Sequence, residues 1–173
     1  MTGSHPGVGW RRQTSRMSIE YLADRPEFIP TLARWHYQEW ASLRLGDSVE
    51  ARIARLSSWS GHGQIPLTVV AISDGELLGS ASLVEHDMDN RPELYAWLAG
   101  VFVTPEYRRQ GIGAALVRRI VGEAISLHIP KLYLYTLKSI SFYADLGWSL
   151  MEHAVYRGKE VSIMSYSSAL LKP

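Results

Sequence analysis

The sequence contains no cysteine, and this single absence excludes several kinds of chemistry. Disulfide bonds, thiolate metal sites and a cysteine nucleophile all need the missing side chain, so an acyl-cysteine intermediate is excluded as well. The histidines do not replace it as ligands, because His36, His62, His128 and His153 lack the spacing of a metal site. We therefore expect no metal.

Long apolar runs and a charge excess are also missing. No stretch approaches the roughly 18 apolar residues of a membrane-spanning helix, and the first residues lack the apolar core of a signal peptide. The formal net charge of +1 gives no basic surface of the kind that binds nucleic acid. We expect a cytoplasmic protein without membrane or nucleic-acid partners.

The chain does have enough apolar sequence for one domain. It has 173 residues, of which 46% are hydrophobic and 20% charged, as in ordinary globular proteins. Residues 1–16 are glycine-rich and polar without periodicity, which predicts a flexible N-terminal tail. Residues 17–173 are predicted to form a single domain.

Hydrophobic periodicity divides that domain into strands and helices. Predicted strands cover residues 17–22, 67–72, 77–84, 94–103, 131–136, 149–156 and 161–167, and predicted helices cover 27–40, a segment opening at Ser48, 111–127 and a short segment before Gly147. Asp74 and Gly75 favour a tight hairpin. A strand, a long helix and a strand in succession imply a parallel crossover. The predicted fold class is therefore α/β (α+β): a mixed central sheet of about six to seven strands, antiparallel in its N-terminal part, with about four flanking helices.

The junction between the strand at residues 101–103 and the long helix carries the strongest functional signal. The first backbone N–H groups of a helix lack partners and lie at the positive end of its dipole, so a tight loop before them forms an anion site. Gly111 and Gly113 let a phosphate approach the backbone, and Arg108 and Arg109 add positive charge. The sequence thus predicts a phosphate or pyrophosphate ligand at this loop.

Two common phosphate-binding loops fit the stretch poorly. A P-loop needs a lysine directly after its last glycine, and none follows Gly111 or Gly113. A dinucleotide-binding fingerprint would place its third small residue at Leu116 and needs an acid further along, which is missing. A nucleotide-binding regulator that takes ATP stays open as a weaker alternative.

The loop resembles the acyl-CoA loop of the GNAT superfamily of N-acetyltransferases. That pattern is Gln or Arg, two residues, Gly, one residue, then Gly or Ala, and this chain has Arg108, Gly111 and Gly113 at the defining positions. Residues 142–148 are similar to a second segment of the family, FYxxLGF, with Trp148 in place of the last Phe. The family usually carries an Asn ahead of this segment, and the chain has none there.

The resemblance implies a GNAT-like fold, acetyl-CoA as cosubstrate and a set of site residues. It implies that Tyr143 is the general acid that protonates the departing thiolate, and a reference pKa of about 10 keeps a phenol protonated at neutral pH. The implied cofactor-binding residues are Val101, Phe102, Val103, Arg108, Arg109, Gln110, Gly111, Ile112, Gly113, Ala114 and Ser139.

The general base and the acceptor are less determined. The family often uses a Glu on the central strand, but residues 94–103 contain no acid, so Glu85, His86 and Asp87 in the preceding loop are the nearest candidates. The acidic and aromatic residues expected around the cleft favour a small cationic primary amine as the acceptor, acetylated by direct transfer in a ternary complex. A non-catalytic acyl-CoA-binding or sensor domain is the alternative, since a central-strand acid is missing. A homodimer is left open.

Overall fold

The computed structural model describes residues 16–168, so the predicted tail lies outside the described residues except for Arg16. The strands are β1 (Met17–Tyr21), β2 (Leu67–Ser73), β3 (Glu76–Val84), β4 (Trp97–Val103), β5 (Lys131–Thr136), β6 (Ser149–Tyr156) and β7 (Lys159–Ser167). The α-helices are α1 (Ile29–Trp40), α2 (Val49–Ser58), α3 (Ile112–Ser126) and α4 (Ile140–Asp145). A short 3-10 turn, Pro26–Phe28, precedes α1 and accounts for the earlier start predicted for this helix.

The strands form one seven-stranded sheet in the order β1-β2-β3-β4-β5-β7-β6. Every neighbouring pair is antiparallel except β4 and β5, which are parallel. The predicted mixed sheet, with an antiparallel N-terminal part and one parallel crossover, is therefore confirmed. Its strand count and its four flanking α-helices also agree with the prediction within residues 16–168.

Two tight hairpins set the register of the outer strands. Asp74 and Gly75 join β2 to β3 with φ angles of 51° and 77°, and Arg157 and Gly158 join β6 to β7 with φ angles of 51° and 76°. Two consecutive residues with positive φ are typical of the two-residue turns that match the twist of antiparallel strands. The hairpin predicted at Asp74-Gly75 is confirmed.

Helix α3 packs its predicted apolar stripe against one face of the sheet. Ile112, Leu116, Ile120 and Ala124 are all buried in the main core cluster, together with side chains from β2, β3 and β4. Helices α1 and α2 cover part of the other face through a separate cluster that includes Leu32. Within residues 16–168 no helix has both the length and the apolar character that a membrane crossing requires.

Strand β4 is shorter at its start than the predicted strand at 94–103. The backbone of Leu94 is used locally, because its N–H donates to Arg91 O at 3.2 Å and its carbonyl accepts the Trp97 indole N–H at 2.9 Å. These bonds hold residues 91–97 in a turn and delay entry into the sheet until Trp97. The sequence pattern shows only an apolar run and does not reveal this local competition.

The parallel pair β4 and β5 meets at one point and then parts. The register contains a single pairing, Trp97 with Tyr133, supported by the Tyr133 N–H donating to Ala96 O at 2.9 Å. A bulge in β4 lies opposite Ser80 to Ser82, where Gly100 has a φ of +60°. The facing edges of the two strands are therefore open beyond Trp97, in the direction of α3 and α4.

Candidate functional site

The loop before α3 presents a row of free backbone donors. Residues 109–114 donate no backbone N–H bond to any acceptor in the described part of the chain, and the first N–H of α3 that bonds inward is Ala115, to Gly111 O at 3.1 Å. Consecutive free N–H groups at the start of a helix form a concave anion site. The structure thus brings together the predicted phosphate-binding residues Arg109 to Ala114.

Two backbone conformations shape this anion nest, as we call the backbone of residues 109–114. Arg109 and Gly111 have φ angles of +63° and +84°, in the left-handed region that turns successive N–H groups toward one side. A Cβ on Gly111 would meet no atom within 4 Å, so glycine serves the backbone angle there. A Cβ on Gly113 would lie 3.4 Å from the Phe142 ring, in ordinary contact.

The side chain of Arg108 contacts neighbouring protein groups and does not extend the anion nest. Its Nε donates to Val103 O at 2.8 Å, and its guanidinium lies 5.5 Å from the centre of the Phe102 ring and 3.8 Å from a Glu39 carboxylate oxygen. The guanidinium therefore fixes the loop onto the end of β4 and onto α1. The positive charge expected from Arg108 is partly neutralised by Glu39.

The three predicted residues of β4 have different surroundings. Val101 lines the cavity described below, Phe102 is buried against Trp35 of α1 with ring centres 5.7 Å apart, and Val103 packs against the main core. Because the edge of β4 that faces β5 is open beyond Trp97, an extended ligand has backbone groups available there.

A cavity of about 410 Å³ opens between the parted strands, α1, α2 and the β6–β7 hairpin. Its lining includes residues 98–101 of β4, residues 134–136 of β5, residues 137–139 of the following loop, and Tyr143 of α4. Two tryptophans also line the cavity: Trp40 of α1 and Trp59, which follows α2 directly. Trp35 packs on Phe102 and lies outside the lining. The cavity therefore adjoins the open edge of β4.

Tyr143 lies in this cavity with a free phenol group. Burial raises the pKa of Tyr143 to about 12, so the phenol is protonated at neutral pH. Its ring packs edge-on against Phe142 and Trp148, which hold it beneath the loop. Ser139, the predicted cofactor residue just before α4, also lines the cavity, and its backbone N–H is bound by Thr136 Oγ1 at 3.0 Å.

The two acids predicted near the site are separated by the structure. Asp87 lines the cavity, whereas Glu85 is exposed and lies outside the lining. Burial raises the pKa of the Asp87 carboxyl to about 6, against the opposing effect of Arg44 and Arg55. The Asp87 carboxylate forms neither a hydrogen bond nor an ion pair within residues 16–168, because the nearby Arg52 and Arg157 pair with Asp47 and Asp89, so it is available to accept a proton from a ligand.

A buried polar chain beneath the β4 bulge was not anticipated from the sequence. The Ser80 hydroxyl donates its one proton to Gly100 O at 3.0 Å. Ser80 Oγ therefore accepts the hydrogen bond from His36 Nε2–H at 2.9 Å. His36 is 3% exposed, and burial, with smaller contributions from Arg52 and Arg55, lowers its pKa to about 3. A neutral histidine on α1 therefore supports the bulge through Ser80. The position of His36 on a predicted helix did not indicate that it would bond to Ser80.

Cationic side chains dominate the ionisable groups of the lining. Six of them line the cavity against two acids, Glu39 and Asp87. The six are Arg44, Arg52, Arg55, Lys138, Arg157 and Lys159. Arg52 is neutralised by Asp47, whose Oδ2 accepts from Nε at 2.8 Å and from Nη2 at 2.7 Å. The sequence led us to expect an acidic lining, but acidic side chains are outnumbered by cationic ones.

The mixed sheet has a central strand, β4, with an anion nest after its end and a cavity beside its open edge. These features place the protein in a class of α/β folds that bind a ligand at a parted pair of strands. Comparison with known proteins identifies the family within this class. The chain belongs to the acetyltransferase (GNAT) family, whose model matches residues 21–148. The resemblance recognised in the two sequence motifs is confirmed.

Individual relatives agree with this assignment. An amino-acid acetyltransferase of Shewanella oneidensis is 28% identical over 93 residues, which are 54% of this chain and 20% of that protein, so the chain spans about a fifth of its length. A protein of Exiguobacterium sp. 255-15 assigned as an acetyltransferase is 26% identical, with a TM-score of 0.63, and 90% of this chain and 95% of that one are covered. An aminoglycoside 6′-N-acetyltransferase complexed with coenzyme A is 17% identical, with a TM-score of 0.69 over 87% of this chain and 96% of that one.

These comparisons confirm the fold class and agree with the expected cosubstrate. Several structures with this fold hold coenzyme A or acetyl-CoA. The acceptor amine and the homodimer stay predictions, as do the roles of the individual site residues.

Proposed function

We propose that the protein transfers the acetyl group of acetyl-CoA directly to the primary amine of a small molecule in a ternary complex. The observation that carries this proposal is the position of a free phenol, Tyr143, and a free carboxylate, Asp87, in one cavity beside the open edge of β4. Family membership supplies the reaction class.

Acetyl-CoA fits three features of the chain. The anion nest at residues 109–114 suits the pyrophosphate, because its N–H groups are free and lie at the positive end of α3. The open edge of β4 suits the amide groups of the pantetheine arm, which would bind as an added strand does. A backbone N–H near Val101 is then available to polarise the thioester carbonyl.

Tyr143 is suited to protonate the leaving group. Attack of the amine nitrogen on the thioester carbon forms a C–N bond and breaks the C–S bond, which leaves a thiolate. The Tyr143 phenol holds a proton at neutral pH and has no protein acceptor among the described residues. Transfer of this proton to the sulfur releases the thiol, and solvent returns the proton to the phenol.

Asp87 is suited to take the proton that the amine must lose. Its raised pKa of about 6 leaves the carboxylate mostly ionised at neutral pH, yet closer to a proton donor than an ordinary aspartate. It acts directly or through one water. The absence of an acid on β4 was the main support for a non-catalytic acyl-CoA-binding domain. Asp87 weakens that support, because it offers a candidate base from another segment.

The small cationic amine expected from the sequence has less support than the small amine itself. That preference depended on the acidic loop at residues 85–93, of which Asp87 alone lines the cavity. The lining contains six cationic side chains, which repel a polycation. We retain a primary amine as the acceptor group and derive its charge below.

The proposal is tested by binding and turnover. Acetyl-CoA at about 100 times its Kd is expected to stabilise the protein by roughly 2.7 kcal/mol and to raise Tm by about 5–10 °C, whereas ATP and NAD are not. Release of free CoA thiol in the presence of a panel of primary amines, followed by mass spectrometry of the products, measures transfer. Binding of acetyl-CoA without acetylation of any amine would support the non-catalytic alternative.

A further inference from the structure

One end of the cavity, around Asp87, carries more positive charge than the proposed reaction needs. Arg44, Arg55 and Arg157 all act electrostatically on Asp87, which lines the cavity with them. Arg157 has an exposed partner, Asp89, at 3.2 Å. For Arg44 and Arg55 no ion pair with a carboxylate is formed within residues 16–168. We call the side chains of Arg44 and Arg55 the arginine pair.

Arg55 is the more confined member of the arginine pair. Its guanidinium lies 5.9 Å from the centre of the Trp59 ring and lines the cavity. Burial lowers the pKa of Arg55, and the nearby charges of Arg44 and Arg52 lower it further. The carboxylates of Asp47 and Asp87 offset this charge from a distance without forming an ion pair with Arg55, so an anion bound between the two guanidinium groups gains energy from both.

A third group in the same region is incompletely satisfied. The Tyr156 hydroxyl is buried and forms no well-aligned hydrogen bond within residues 16–168, although the Arg157 guanidinium lies against Tyr156 and interacts with it. Tyr156 lines the cavity, with its ring centre 5.4 Å from that of Tyr135. Buried hydroxyls are nearly always satisfied, so an incompletely satisfied one on a cavity wall indicates a polar ligand group.

The phosphates of the cosubstrate are not placed to satisfy the arginine pair. Asp87 follows β3, whose last residue, Val84, pairs with Trp97 at the start of β4. The anion nest follows the other end of β4, at Val103. Six residue steps along a strand span about 20 Å. The anion nest and the loop that carries Asp87 therefore adjoin opposite ends of β4, which favours a separate anion for the arginine pair that acts on Asp87.

We propose that the acceptor is a small amine that also carries a carboxylate, with the carboxylate bound by Arg44 and Arg55 and the amine facing Asp87. This inference rests on the proposed acetyltransferase function. A guanidinium holds a carboxylate through two parallel hydrogen bonds, which orients the acceptor as well as binding it. Tyr156 is available to donate a further bond to the same carboxylate. The substrate class is thus that of amino acids and their derivatives rather than of polyamines.

The test compares amines that differ only in the carboxylate. The panel pairs lysine with cadaverine, ornithine with putrescine, phenylalanine with phenethylamine, and tryptophan with tryptamine, and CoA thiol release is measured for each with the full chain. At least one amino acid is expected to exceed its decarboxylated partner in kcat/KM by about tenfold or more, as for loss of a hydrogen bond to a charged group.

Variants then assign the preference to the arginine pair. Arg55→Gln and Arg44→Gln are each expected to lower the ratio of kcat/KM between the preferred amino acid and its partner by about tenfold, mainly through KM. Arg118→Gln removes the same charge from an exposed position on α3, outside the cavity, and is expected to leave the ratio unchanged. Thermal unfolding of each variant checks that it folds.

Each outcome separates the inference from the function on which it rests. Acetylation of decarboxylated amines at rates equal to or above those of the amino acids, or no turnover of any amino acid, overturns the carboxylate proposal. The acetyltransferase proposal stays intact in these cases only if at least one amine is acetylated. A loss of acetyl-CoA affinity in Arg55→Gln, with the acceptor ratio unchanged, assigns the arginine pair to the cosubstrate and also overturns it. Failure of acetyl-CoA to bind removes the proposed function itself.

Discussion

His36 on α1 and Ser80 on β3 are joined by a hydrogen bond of 2.9 Å between Nε2 and Oγ, and Ser80 passes the chain on to Gly100 O at 3.0 Å. The pair couples the helix that forms one wall of the cavity to the bulge in the strand beside the proposed thioester site. Both side chains are buried, so neither can exchange its partner for water.

Replacing Ser80 by Ala is expected to lower the free energy of unfolding by about 1–3 kcal/mol, because the His36 N–H and the Gly100 carbonyl both lose a buried partner. Urea unfolding measures the change. Ser126→Ala, at an exposed position of α3, is the control and is expected to change stability by less than about 0.5 kcal/mol. Equal stabilities of the two variants would show that the chain contributes little to the fold.

The low pKa of His36 predicts acid sensitivity. The folded protein keeps His36 neutral down to a pKa of about 3, whereas the unfolded chain takes up the proton near 6.5, so stability is lost as pH falls through this window. At pH 5 the loss from this residue is about 2 kcal/mol relative to pH 7. His36→Gln is expected to unfold more readily at pH 7 and to have a shallower loss between pH 7 and pH 5. An unchanged slope would contradict the assigned burial.

Replacing Tyr143 by Phe tests the proposed general acid. The ring and its packing against Phe142 and Trp148 are kept, so acetyl-CoA binding is expected to change little. Loss of the proton donor is expected to lower kcat about 100-fold or more. Tyr95→Phe, at an exposed position outside the cavity, is the matched control. A kcat that is unchanged when chemistry limits turnover would remove the acid role.

Ionisation of Asp87 is expected to raise activity and to lower the stability of the fold. Because its folded pKa is about 6, kcat/KM is expected to rise with pH through an apparent pKa near 6 as the base ionises, in the field of Arg44, Arg55, Arg157, Arg52 and Tyr135. A carboxyl with a raised folded pKa destabilises the fold once pH exceeds its unfolded value of 3.8, fully so above 6.

The Asp87→Asn variant is therefore expected to be nearly inactive and yet more stable than the wild type at pH 8, by on the order of 2–3 kcal/mol. Steady-state kinetics and urea unfolding measure the two changes. Glu85→Gln is the comparison, because this neighbouring acid is exposed and lies outside the cavity. A larger loss of activity in Glu85→Gln than in Asp87→Asn would reverse the assignment of the base.

Two glycines of the α3 region offer a matched pair of substitutions. Gly111→Ala places a side chain at a φ of +84° and is expected to lose about 1–2 kcal/mol of stability and to weaken acetyl-CoA binding by about tenfold as the anion nest rearranges. Gly122→Ala lies within α3 in open space and is expected to stabilise the helix by about 0.5–1 kcal/mol without affecting acetyl-CoA. Isothermal titration and thermal unfolding separate the two effects.

The features predicted correctly from the sequence are those set by local spacing. The hairpin at Asp74-Gly75, the apolar stripe of α3 and the start of α3 just after Gly111 each depend on a few consecutive residues whose backbone preferences the sequence shows directly. The delayed start of β4 was missed although it is also local, because the bonds of Leu94 depend on the fold of residues 91–97.

The features that the sequence did not reveal depend on contacts between distant segments. His36 and Ser80 are 44 residues apart, and periodicity on a helix does not identify the strand on which a histidine will pack. The arginine pair comes from the α1–α2 connection and from α2, so its position opposite Asp87 depends on the tertiary fold. Glu85 and Asp87 are equivalent in sequence, and only the folded loop distinguishes the exposed acid from the acid in the cavity.

The single pairing between β4 and β5 also bears on self-association. Strand edges with unsatisfied backbone groups recruit strands from other molecules when they lie at the rim of a sheet. Here the open edge of β4 lies in the interior of a seven-stranded sheet, between strands that meet at Trp97 and Tyr133. An edge inside the sheet is flanked by β3 on one side and by the start of β5 on the other, so it is less accessible to strands of other molecules than an edge at the rim. The proposed pantetheine-binding edge therefore carries less aggregation hazard than an outer strand edge would.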